Sequence, residues 1–346
     1  MKRRNFIKTG LGGGALFQLA TPALAQGGTS LRMFATDAAQ AEAFADRVNN
    51  ATNGAMQINS EVVDVADGPA LLDRVAGGEA DMCLTSTSHF LEKDLSFGFF
   101  SNMPFGMSCG ELESWVVASD GRDMLDMLGE ENGVAFFLAA DESSLPMWSK
   151  DAIGDLNDYL GKRIGSTGLG MRSLAAMGVS SVSNLHDPAV NWADLDVIDG
   201  VSAVEMQNRG LTGTFNKVMR TNPNCPSSTQ VLTVSPDALA GLSDTHRLIL
   251  DRSCSGALAT SRSKSFHDNA LIFQQLGDAL AVADMPDAVW SAMNAASRSV
   301  LEDVFASGNN GASMVDAYVY FLTDIAGWSE IGEAAYYRGR KRIASL

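Results

Sequence analysis

From residue 31 onward the apolar and polar positions change period in a repeating order. Leu31 to Ala35 is a short apolar run that predicts a strand, and Ala38 to Ala51 sets Ala41, Phe44, Ala45 and Val48 at the spacing of one helix face. Asn53-Gly54 separates that helix from a second strand at Met56–Val63. Pro69 to Val75 adds a short amphipathic turn, Gly77-Gly78 ends it, and Ala80 to Leu84 reads as a buried strand. This strand–helix–strand–helix–strand order predicts an α/β fold with a parallel sheet carrying helices on its faces. Ligands on such sheets sit at the carboxyl ends of the strands, so the loops after Ala35, Val63 and Leu84 are the first places to expect a site.

The pattern restarts near Trp148. Asp155 to Leu160 leads into the glycine-rich stretch 161–170, followed by a helix at Met171–Met177 with Gly178 as its stop. A glycine-rich turn at a helix start offers backbone N–H groups and the positive end of the helix dipole to a carboxylate or phosphate. It serves equally as a tight turn that needs positive φ, and it has neither the dinucleotide nor the Walker spacing. Leu195–Val201 and Gln230–Ser235 read as strands, and Ser235-Pro236 opens a helix-rich tail. Two α/β lobes crossed twice by the chain would enclose a cleft, the usual seat of a small ligand.

Ahead of the first strand, residues 1–25 read as a twin-arginine export leader. Arg3-Arg4 with Phe6 and Lys8 gives R-R-x-F-x-K, a short glycine-rich apolar run follows, and Ala23-Leu24-Ala25 supplies a small-x-small cleavage site. The run is too short for the roughly 20 residues of a bilayer span, so stable membrane insertion is not expected and a periplasmic location is. Without the leader the chain holds 21 basic against 41 acidic residues. A balance of that sign repels phosphate backbones and argues against nucleic acid as a partner. Cys83, Cys109, Cys225 and Cys254 form no C-x-x-C pair, which argues against zinc and leaves any disulfide pairing open.

Taken together, several motifs carry a family resemblance. They run from Phe99-Phe100-Ser-Asn-Met-Pro104-Phe105-Gly106 through Glu111, Trp115 and Trp148-Ser-Lys150 to Gly168-Leu169-Gly170 and Leu174-Ala-Ala-Met-Gly178. Ile198-Asp199-Gly200 and a C-terminal series of Tyr318, Phe321, Trp328, Ile331 and Tyr336 complete them. In this order the chain resembles TRAP transporter solute-binding proteins of the DctP family, most closely the branch that binds 2-oxo acids. The resemblance implies a two-lobed periplasmic binding fold of class II type. Residues 26–150 with about 235–280 form lobe I, 151–234 form lobe II, and 281–346 form a helical region across both. It further implies a small organic acid as ligand, TRAP membrane subunits as partners and room for a homodimer through the tail.

The expected pocket departs from that branch. Relatives place an arginine just before the glycine-rich segment, where Gly165 is the gap-free equivalent; a two-residue slip favours Arg163, with Arg172 on the next helix behind it. Either arginine is otherwise a solvated surface charge. The branch's acid and tryptophan, which hold ligand and cation, correspond to Ser202 and Ala203, so Glu205 has taken over the role or the cation is absent. Absence is the favoured reading, and no cofactor is expected; sodium or calcium is the alternative. Strand ends add Thr36, Ser88 and His89, and Ser144 stands where the branch presents an amide. Trp148 is a candidate apolar wall or a core residue, and Phe99, Phe100, Phe105, Met103 and Met107 are assigned to the core.

Catalysis finds little support. The four histidines, His89, His186, His246 and His267, show no H-E-x-x-H, and no G-x-S-x-G stands beside a triad order. His186-Asp187-Pro188 reads as a loop and helix start. An exported enzyme is therefore disfavoured, and a ligand-binding sensor subunit is the alternative to transport.

Overall fold

The structure, a computed structural model, describes residues 28–101, 103–143, 145–307 and 310–344. The expected leader and Ser144 lie outside the described residues. The chain opens with strand β1 (Thr29–Ala35), helix α1 (Ala38–Ala51), β2 (Met56–Val62), α2 (Leu71–Ala76) and β3 (Met82–Ser86). Asp37 caps α1 by accepting from the Gln40 N–H at 2.9 Å, and the helix buries Ala41, Phe44, Ala45 and Val48, the predicted face. Helices α3 (Cys109–Ala118) and α4 (Gly121–Asn132) lead to β4 (Ala135–Ser143).

The second lobe then follows with β5 (Met147–Ser149), α5 (Leu156–Leu160), β6 (Arg163–Ser166), α6 (Gly168–Met177), β7 (Ser181–Asn184), β8 (Val197–Asp199), α7 (Ala203–Asn208) and β9 (Lys217–Met219). Gly178 ends α6 at φ 91°, a conformation that favours glycine. The chain returns to the first lobe as β10 (Ser227–Val234) and continues through α8 (Pro236–Gly241), α9 (Asp244–Leu276), β11 (Ala281–Ala283), α10 (Asp287–Phe305), α11 (Gly311–Ser329) and α12 (Ala335–Ala344).

Two sheets result. The first has the order β2-β1-β3-β10-β4, with β1 parallel to β2 and β3 as predicted, and β10 antiparallel to both β3 and β4. The second has the order β11-β9-β5-β8-β6-β7, with β6 parallel to β7 and β8. This moves the expected lobe boundaries. Lobe I ends before β5 rather than at 150, because Met147–Ser149 pairs with β8 and β9. Lobe II ends before β10 rather than at 234, and β11 at 281–283 returns to its edge.

Helix α9 is not confined to lobe I either. Its middle is tied to that lobe by Ser261, whose hydroxyl accepts from the Asp141 N–H at 2.9 Å, and by Arg262, whose Nε donates to the Asp141 carboxylate at 3.0 Å. Two to three turns later it is tied to lobe II. Asn269 Oδ1 accepts from the Ala203 N–H at 2.6 Å, and Phe273 packs on Trp148 with ring centroids 5.6 Å apart.

Phe99, Phe100, Met103 and Met107 are buried as expected, and Phe100 stacks on the fully buried Trp115. Phe105 is only partly buried; its backbone sits at φ 55° and its ring meets Trp290 edge-on, so it links the lobe I loop to α10. All four cysteines are buried. Among the described residues no helix is long and apolar enough to cross a membrane.

Candidate ligand-binding site

The carboxyl ends of strands from both sheets converge on two cavities of about 680 and 700 Å³. Val65 and His186 line both. The first, of about 680 Å³, receives Thr36 and Asp37 after β1, Glu142 from the end of β4, Thr167 after β6, and Ser202 and Glu205 after β8. The second, of about 700 Å³, receives Ser88 and His89 after β3, Asn184 and His186 at the end of β7, and Arg172 from α6.

A chain of polar contacts joins the lobes between these cavities. The Thr36 and Thr85 hydroxyls lie 2.9 Å apart, Thr85 Oγ1 lies 3.2 Å from His89 Nδ1, and the His89 ring meets His186 of lobe II edge-on at 4.4 Å. Gly68 makes room for this arrangement, since a Cβ there would stand 1.7 Å from His89 Nδ1. Loss of solvent, together with His186, pulls the His89 pKa down to about 3, and loss of solvent pulls His186 down to about 4. Both rings are therefore neutral at ordinary pH and can act as hydrogen-bond donors or acceptors without adding charge.

The predicted site residues separate into two groups. Thr36, Ser202, Glu205, Ser88, His89 and Arg172 line the cavities. Ser202 is also the N-cap of α7, accepting from the Glu205 N–H at 3.2 Å, and Glu205 holds Arg209 at 2.6 Å. Arg163 and Trp148 do not line either cavity. Arg163 begins β6 instead of ending it, so it emerges at the far edge of the sheet. There it grips Asp196 through Nε at 3.0 Å and Nη2 at 2.8 Å, and this contact holds the Asp196 pKa at about 2. Trp148 is fully buried and donates its indole N–H to the Val201 carbonyl at 2.8 Å, which makes it a core residue. Gly165 is buried too, facing Leu185 and Leu195.

Sequence reasoning missed Glu142 and His186. Both sit at strand ends, but β7 carries no apolar run that would have announced it, and Glu142 closes a strand that was not assigned. Beneath the cleft lies a fully buried carboxylate, Asp199. It accepts from Ser166 Oγ at 2.7 Å, Asn222 Nδ2 at 2.8 Å and Asn224 Nδ2 at 2.5 Å. Burial raises its pKa and these donors oppose the rise.

Two α/β lobes, more than two passages of the chain between them and a cleft at the strand ends define a two-lobed binding protein. The chain belongs to the DctP family, bacterial extracellular solute-binding protein family 7, whose sequence profile matches residues 35–308. It is similar to a monocarboxylate 2-oxoacid-binding periplasmic protein of Nostoc, at 25% identity over 142 residues. That match covers 40% of this chain and 39% of the Nostoc protein, well short of the relative's whole length. The fold is also that of a TRAP periplasmic solute-binding protein of Pseudoalteromonas atlantica holding sodium and pyruvate. The TM-score is 0.82 at 18% identity, over 90% of this chain and 99% of the other. A TRAP solute-binding protein of Bordetella bronchiseptica, a dimer with calcium and picolinate, gives 0.83 at 16% identity over 92% and 99%.

Proposed function

We propose that this chain is the periplasmic solute-binding subunit of a TRAP transporter, capturing a small organic acid between its lobes and delivering it to the membrane subunits. One observation carries the reading: strand ends of both lobes build the cavities, and in one of them Arg172 faces the interlobe space. No acid stands within ion-pair distance of it among the described residues. The relatives named above bind small carboxylates, and an arginine free of a protein partner is the group such a ligand needs. Solute contacting groups from both lobes at once stabilises the closed form by its differential affinity, which is all that capture requires. Nothing in the cleft calls for turnover. The Thr85–His89 pair meets a second neutral histidine where a catalytic arrangement would need an orienting acid.

The positions that the resemblance assigns to a ligand-associated cation do not fit one. Ser202 spends its hydroxyl on the cap of α7, and Ala203 offers no side-chain donor.

The test is calorimetric titration of the chain from Gln26 onward with 2-oxo, hydroxy and aromatic acids. At least one is expected to bind, and Arg172→Ala should weaken it 10-fold or more, about 1.4 kcal/mol. An acid that binds both proteins alike would remove Arg172 from the site.

The tail supports a homodimer. Tyr320, Trp328, Ile331 and Tyr336 are all more than 60% exposed, a run of large apolar groups that monomers seldom leave in water. Light scattering is expected to give twice the chain mass, and Trp328→Ala with Ile331→Asp to halve it. A wild-type monomer at micromolar concentration rejects the assignment.

A further inference from the structure

We propose that the cleft selects solutes that carry a protonated nitrogen, with Glu142 as the residue that receives it. This rests on the organic-acid reading above and narrows it to zwitterions, the amino and imino acids and their homologues.

The buried acids Asp199 and Asp141 already have partners. Asp199 has its three side-chain N–H and O–H donors, and Asp141 has Arg262 at 3.0 Å and the Cys109 thiol at 2.5 Å. Glu142 lines the cavity of about 680 Å³, and among the described residues no side chain or N–H donates to its carboxylate. Asp37 of lobe I and Glu205 of lobe II stand near enough for their charges to act on it, so acids from both lobes face one space.

The bases of that cavity are already engaged. Arg209 holds Glu205 and lies over the Trp192 ring at 3.8 Å, Lys264 pairs with Asp268, and Arg47 donates to the Thr260 hydroxyl at 2.7 Å. Asp37, Glu142, Glu205 and Asp268 thus outnumber Arg47, Arg209 and Lys264. Loss of solvent, then Asp37 and Glu205, push the Glu142 pKa up to about 7, as expected where a carboxylate lacks a counter-charge. A bare metal ion fits less well. Among the described residues no three His, Cys, Asp or Glu side chains are gathered closely enough to hold one. An ammonium, with N–H donors directed along several bonds, can engage carboxylates spread over a wider cavity.

The solute then has two handles. Its carboxylate meets Arg172 or the neutral histidines, and its nitrogen meets Glu142. Loss of the arginine that relatives carry at the Gly165 position fits a ligand that is not recognised by negative charge alone.

Matched pairs test this by calorimetry: L-proline against cyclopentanecarboxylate, L-valine against isovalerate, and 4-aminobutyrate against butyrate. In at least one pair the nitrogen-bearing member is expected to bind 10-fold or more tightly, and Glu142→Gln to shrink that ratio to less than 3-fold. A thermal melt confirms that the variant is folded. Deaminated acids binding as well as their partners overturn the nitrogen preference and leave the organic-acid reading standing. A ratio unchanged in Glu142→Gln overturns the role of Glu142. If neither these compounds nor the wider acid panel bind, the organic-acid reading fails and this inference falls with it.

Discussion

Gly165→Arg is expected to unfold lobe II instead of restoring the arginine that relatives carry. A Cβ at this position would lie 2.4 Å from Leu185 Cδ2 and 2.5 Å from Leu195 Cδ1, closer than such atoms approach in folded proteins. Both leucines are buried, and they flank a strand bonded on both sides, to β7 and to β8. Leu195 is packed within the lobe II core, and Leu185, in the same core, also borders the cavity of about 680 Å³. Overpacking of this kind costs about 1–3 kcal/mol for a small side chain, which is the expectation for Gly165→Ala. The guanidinium adds a charge driven into an apolar layer, so the loss for arginine should exceed about 4 kcal/mol. Urea unfolding of the two variants beside wild type measures both. A folded arginine variant of wild-type stability would mean that residue 165 faces the cleft after all.

The second large effect is expected at Asp199. Replacement by leucine leaves the Ser166 hydroxyl and the amides of Asn222 and Asn224 without their shared acceptor in a fully buried place. Each orphaned donor costs on the order of 1–3 kcal/mol, and since the three can partly re-pair, about 3–5 kcal/mol in total is expected. The consequence reaches function. Asn222 and Asn224 belong to the segment that carries the chain back from lobe II to lobe I, and Ser166 immediately precedes Thr167 at the cavity wall. Asp199→Leu should therefore lower both the unfolding midpoint and the affinity for solute, whereas Asp199→Asn, which keeps one acceptor, should recover part of each. A leucine variant within 1 kcal/mol of wild type would show that the network is not a support.

The fold was legible where a single face of an element is buried. α1 appears with the predicted bounds because Ala41, Phe44, Ala45 and Val48 repeat at helix spacing, and the parallel β2-β1-β3 order follows from the alternation of strands and helices. The crossings were misplaced because β5 is three residues long and β10 pairs antiparallel with strands far away in sequence. Periodicity within a short window carries no information about such partners. In the site, the rule that ligands sit at strand carboxyl ends led to Thr36, Ser88 and His89, and the family resemblance to Ser202, and all four line a cavity. The same rule, applied with correct strand bounds, rejects Arg163, which begins its strand. His186 and Glu142 were hidden for the converse reason: their strands were not recognised, so their ends were not searched.

The attachment of α9 to both lobes has a mechanical consequence. Arg262 is fixed to lobe I and Asn269 to lobe II, so the part of the helix between its anchors is seven residues, roughly 10 Å of continuous backbone hydrogen bonding. A rod that short resists bending far more than a loop does. Parting of the jaws is therefore limited to the small angle the rod tolerates before one of its own hydrogen bonds breaks. The cleft behaves as a calliper with a stiff spring: a solute one or two heavy atoms too large is not accommodated by opening slightly wider, and size is measured by the same helix whose middle turns line one of the cavities.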